Sequence, residues 1–142
     1  MLSTPHLLAG AAIVTLVPDP NLSLPLSFIS HFVLDAIPHW DGGGPKPPFN
    51  KKDYLRVGGD YVFGVLLVFL LTLGNGNQIL ILVGAVLATL PDFIHGASKF
   101  LNLPILDTFA KFHSKLQAKL PLLPGLATNT VMAILAISLI RF

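Results

Sequence analysis

The sequence contains no cysteine and no glutamate. Without thiols there is no disulfide, no thiolate-bound metal and no cysteine nucleophile. Without glutamate, motifs such as HExxH are excluded. Charge of either sign is scarce: 11% of the 142 residues are charged, against about 25% in an ordinary soluble domain. The net charge of +2 is too small and too scattered to point to nucleic acid. A positively charged leader is also missing, because Pro5 and His6 stand directly before the first apolar run. A conventional signal peptide is therefore not expected, and the first segment is expected to be retained.

What remains is apolar. Hydrophobic residues make up 53% of the chain and the mean hydropathy is +0.73. A water-facing surface cannot be built from this composition, so lipid is the expected solvent for much of it. The length suits a single domain over residues 1–142. Apolar runs cover roughly 5–17, 21–38, 57–73, 78–95 and 122–142, with Pro18-Asp19-Pro20 and Gly74-Asn75-Gly76-Asn77 among the breaks. A bilayer crossing needs about 20 residues, with a lower limit of about 17. The expected fold is thus all-α: an integral membrane bundle of about five transmembrane helices. Residues 41–56 read as a Pro/Gly/Lys loop. Residues 99–120 read as one further, amphipathic helix, with Ile105, Phe109, Phe112, Leu116 and Leu120 at helical spacing. Its Lys111, Lys115 and Lys119 form a basic ridge, the pattern of a helix lying in the membrane interface. An ordinary helix packed on the bundle is the alternative.

Basic residues orient the chain. Lys46, Lys51, Lys52 and Arg56 lie between the second and third runs, and Lys99, Lys111, Lys115 and Lys119 between the fourth and fifth; Arg141 stands at the C-terminal end. The positive-inside rule puts both basic segments in the cytoplasm, with the N-terminus inside and the C-terminus outside. On that topology His6, His31, His39, His95 and His113 all fall on the cytoplasmic side, together with Asp35, Asp41, Asp60 and Asp92. Residues 31, 35 and 39 are four apart and would share one helical face, as would Asp92 and His95 three apart. Neutral imidazole and carboxylate suit zinc, and also manganese or iron. Buried ionisable groups in a membrane are costly, so each is expected to have a partner or ligand. His6, His31, Asp35, Asp60, Asp92 and His95 are the expected metal ligands, holding one or two ions, and His39 and Asp41 the expected catalytic acid or base. Other readings stand beside these: Asp60 as a helix cap after Gly58-Gly59, Asp92 as a helix terminator after Pro91, and His113 as an interfacial residue near Phe109 and Phe112. Trp40 reads as an interface anchor.

Three segments carry a resemblance: Thr4-Pro5-His6-Leu7-Leu8-Ala9-Gly10, then residues 30–41 (SHFVLDAIPHWD), then Leu90-Pro91-Asp92-Phe93-Ile94-His95. As an ordered set they resemble the small prokaryotic membrane-bound metal-dependent hydrolases, and more distantly the helical zinc-dependent phospholipase C enzymes. The resemblance spans residues 4–95. It implies an inner-membrane hydrolase whose positions to test are His6, His31, Asp35, His39, Asp60, Asp92 and His95. A lipid-linked phosphoester is the expected substrate class, from the location of the site at headgroup depth. Membrane lipid is the expected partner. Two further readings are a metal-ion carrier and a non-catalytic membrane protein whose metal staples its helices.

Overall fold

A computed structural model describes residues 1–42 and 50–140, which form seven helices with no sheet among them. Lys46 and Arg141, both used in the charge argument, lie outside the described residues.

Helix α1 (Ser3–Leu16) is the central pillar, packed against α2 (Pro20–Ala36), α3 (Lys51–Leu71), α4 (Gln78–Leu87) and α7 (Leu122–Leu139). Its sequence explains the position. It carries no formal charge and is apolar on most sides, as a helix buried all round must be, and Leu7, Leu8, Ala11, Ala12 and Val14 form the middle of the core. Close approach of α1 to α4 depends on Gly10 and Gly84: a Cβ on Gly10 would collide with the Gly84 carbonyl, which belongs to the backbone and cannot swing away.

Helix α2 has two faces of opposite character. Ser23, Ser27, His31 and Asp35, each four residues on from the last, are buried. Leu22, Leu26, Ile29 and Val33 point outward and are exposed. This is the reverse of a helix in water, and it suits a hydrocarbon surrounding. Asp19 caps the helix through the Asn21 amide at 2.9 Å. The helix stops at Ala36 because Pro38 disfavours the helical conformation for Ile37, which is extended with ψ 130°.

Helix α3 starts earlier than the apolar run does. Asn50 and Asp53 form a capping box, so residues 51–56, expected as loop, are helical. The fourth run folds as α4 and α5 (Leu90–Ser98), interrupted at Ala88-Thr89. Pro91 has no N–H to donate to Leu87, which accounts for the interruption. The expected helix over 99–120 is helical only over α6 (Pro104–Leu116). Beyond it the chain is extended, and Ala118 donates to the Asp35 carbonyl (2.9 Å) while His39 donates to Ala118 (2.9 Å) and Leu120 to His39 (2.7 Å). This backbone zipper fastens the exit of α2 to the entry of α7. Helix α6 packs on α5 and α2, with Phe109 and Phe112 against Phe32, so it is docked on the bundle through its apolar side.

Three helical segments are long and apolar enough to cross a membrane: Lys51–Leu71, Gln78–Ser98 and Leu122–Leu139. The sequence reading expected about five. Helix α1 has only 14 residues, about 21 Å at 1.5 Å per residue. Helix α2 has 17 and carries the polar ladder and an internal Pro25. Both runs fold as expected rods, but neither has the length and apolarity of the other three.

Candidate metal centre

Asp35, itself fully buried, is the hub of a side-chain cluster at the end of the bundle where α2 finishes. Its two carboxylate oxygens face different sets of groups. Oδ2 lies 3.1 Å from His113 Nε2 and 3.3 Å from His31 Nε2, and accepts a hydrogen bond from Gln117 Nε2 at 3.3 Å. Oδ1 lies 3.3 Å from His6 Nε2 and 3.6 Å from His39 Nε2, and is also met by the amino nitrogen of Met1. Asp92 closes the Oδ2 side, its Oδ1 3.6 Å from His31 Nε2 and 3.8 Å from His113 Nε2. Ligand atoms from His31, Asp35, Asp92 and His113 all lie within 4.8 Å of one another. This group could hold a divalent metal ion. The side chains of His31, Asp35 and His113 are wholly buried; that of Asp92 is 36% exposed and forms the mouth.

Backbone carbonyls behind two of the rings assign their protons. His31 Nδ1 is 2.8 Å from the Ala88 carbonyl, which can only accept, so the proton is on Nδ1 and Nε2 presents a lone pair to the cluster. The interruption between α4 and α5 places that carbonyl. His39 Nδ1 is 2.7 Å from the Ile37 carbonyl, so its Nε2 is a lone pair as well. His113 Nδ1 is 2.8 Å from His95 Nδ1, and His113 Nε2 is 2.9 Å from His31 Nε2. The Nε2 lone pairs of His31 and His39 thus converge on the buried Asp35 carboxylate. Such an assembly of acceptors needs a shared proton or a cation at its centre. A metal on His113 Nε2 would leave Nδ1 protonated and donating to His95, the outer-partner arrangement usual for ligating histidine. Burial also pushes the His39 pKa below its ordinary value, which keeps this imidazole neutral at neutral pH.

The chain folds locally to make this possible. His31 and Asp35 share the inner face of α2. His39 reaches Asp35 by a different route from the one the four-residue spacing suggested: it lies past the end of the helix, held by the backbone zipper. His6 comes from the first turns of α1 and stacks on His31, with ring centroids 4.1 Å apart. Asp92 comes from α5, as does His95, which touches the cluster through His113 rather than through Asp35. Two expected residues are engaged elsewhere. Both carboxylate oxygens of Asp60 cap α1, accepting from the Ser3 and Thr4 amides and, at 2.7 Å, the Thr4 hydroxyl. Asp41 is paired with Lys119 Nζ at 2.6 Å. Trp40 lies against α7, where Asn129 donates to its carbonyl at 2.8 Å and Gly125 leaves it room. His113 and Gln117 join the cluster from outside the ligand set expected from the sequence. The signal for His113 was its place four residues after Phe109, on the apolar side of α6. Gln117 gave none.

No family model, no curated protein and no solved structure matches this chain.

Proposed function

We propose that this protein is a membrane-bound metal-dependent hydrolase whose divalent ion is held by His31, Asp35, Asp92 and His113. The observation that carries this reading is the convergence of buried imidazole lone pairs on one carboxylate, with a single, partly exposed ligand at the mouth. Two neutral imidazoles and two carboxylates suit zinc, and also manganese or iron. Such an ion supplies an acidic bound water and polarises a scissile bond. The chain's own contribution is orientation and proton handling. The Ala88 carbonyl fixes the His31 ring, and His95 fixes His113. His39, neutral and beside Asp35, is placed to accept a proton. Asp41, tied to Lys119, serves to hold the zipper segment.

The setting supports a lipid-like substrate. The basic residues Lys51, Lys52, Arg56, Lys99, Lys111, Lys115 and Lys119 all belong to segments at the cluster's end of the bundle, which the positive-inside rule assigns to the cytoplasm of an inner membrane. A phosphoester on a lipid could enter sideways toward Asp92 at headgroup depth. The short α1–α2 hairpin carries exposed Asp19 at its tip. A carboxylate is costly in hydrocarbon, so in this reading the tip lies at the opposite surface, and a locally thinner bilayer would let both short rods cross.

A structural metal is the second reading, favoured by the complete burial of three of the four ligands, which tie α2 to α6. Metal analysis and phosphodiester turnover by detergent-purified protein separate the two. The hydrolase predicts bound metal and metal-dependent turnover, both lost in Asp35→Asn with the helical content retained. Metal without turnover, and a variant that unfolds, would leave the staple. A wild-type protein free of metal after loading would defeat both.

A further inference from the structure

His31 and His113 of the candidate metal group face Oδ2 of Asp35. The other oxygen faces its own set of nitrogens. His6 is wholly buried, and neither of its ring nitrogens has a hydrogen-bond partner among the described residues. His39 Nε2 is likewise buried and without a partner, and its lone pair points toward Oδ1 at 3.6 Å. Unpaired polar atoms at this depth are uncommon, and two imidazole nitrogens beside one carboxylate oxygen call for a ligand.

We propose that Oδ1 of Asp35, Nε2 of His6 and Nε2 of His39 form a second divalent-cation site, with Asp35 bridging two ions. This rests on the metal-binding reading above and extends it; with the second ion bound, the His39 Nε2 lone pair is a ligand, in place of the proton-accepting role given to it there. The geometry is that of a paired centre. His6 and His31 are stacked at 4.1 Å with their planes 19° apart, and their Nε2 atoms address the two oxygens of the same carboxylate, each at 3.3 Å. Two rings so stacked present their lone pairs side by side. Ions in two-metal hydrolytic sites stand about 3.5–4 Å apart, a spacing that two ions on the two oxygens of one carboxylate can take. The second site has three protein ligands, leaving a coordination position open for water, as catalytic sites do. The Met1 amino nitrogen approaches the same oxygen, so an ammonium is the competing occupant.

The experiment is a metal count on detergent-purified protein saturated with Mn(II), read by plasma mass spectrometry and by electron paramagnetic resonance. Two ions per chain with an exchange-coupled spectrum are expected. His6→Gln and His39→Ala should each drop the count to one and abolish the coupling; His39 lies outside the helices, so its variant guards against a folding defect at His6. Asp35→Asn should lose both ions. One ion per chain at saturation in the wild type, as an ammonium on Oδ1 would give, overturns the second site and leaves the proposed function standing. So do two ions retained in both histidine variants. No bound ion at all overturns both readings.

Discussion

At the scale of single residues, the two oxygens of Asp35 divide the labour of the cluster, and each imidazole is steered by what lies behind it. His95 is the clearest case of a residue that acts through another. Its nearest partner is His113 Nδ1 at 2.8 Å, on the side of the ring away from Asp35. Removing such an outer partner typically weakens metal binding by about 10–100-fold. His95→Ala should therefore bind metal about 10–100-fold more weakly in a chelator competition titration, with its helical content unchanged; an unaltered affinity would remove His95 from this role. Much of this constellation was legible in the sequence. His31 and Asp35 could be paired from their spacing alone, because four residues return a helix to the same face. His113 was harder to place, since nothing in the order of residues says that α6 turns its apolar side toward the end of α2. His95 was readable as a near neighbour of Asp92 but not as a support for His113, because that contact joins two separate helices.

At the scale of elements, the ends of the helices explain what the apolar runs could not. The start of α1 is capped by Asp60 from the body of α3, across 56 residues of chain. A cap supplied from another helix leaves no local signature, so the sequence offered only a local cap or a metal ligand for this carboxylate. The two roles have different consequences. Asp60→Ala should lower stability by about 0.5–2 kcal/mol, the usual range for a lost helix cap, seen as a lower melting temperature in detergent. Its metal content should stay at the wild-type value. A loss of metal without a loss of stability would return Asp60 to the ligand set. The same contrast holds at α2: its beginning at Asp19-Pro20 could be read from the cap and the proline, whereas the zipper that holds His39 joins segments nearly 80 residues apart and has no local signal in the sequence.

At the scale of the whole molecule, the all-helical, lipid-suited character followed directly from composition, and the number of crossings did not. Residue counts measure length, but α1 and α2 are short rods whose reach depends on how the bilayer meets them. Because the chain contains no cysteine, single cysteines can be introduced without background. Lys115→Cys on the exposed side of α6 should react with a membrane-impermeant maleimide only from the cytoplasmic face. Asn77→Cys and Asn21→Cys should react from the opposite face. Protection of Asn21→Cys from both sides would show that the α1–α2 hairpin stops within the bilayer. The zipper between residues 35–39 and 118–120 has one more consequence, for the order in which the protein is made. A ribosome makes the chain from its N-terminus, and the groups that meet at Asp35 begin with the Met1 amino group and end with Gln117. A nascent chain stopped before α6 can place five of its helices and still lack His113, Gln117 and the fastening of His39. The centre is thus assembled late in synthesis, after most of the bundle has been made.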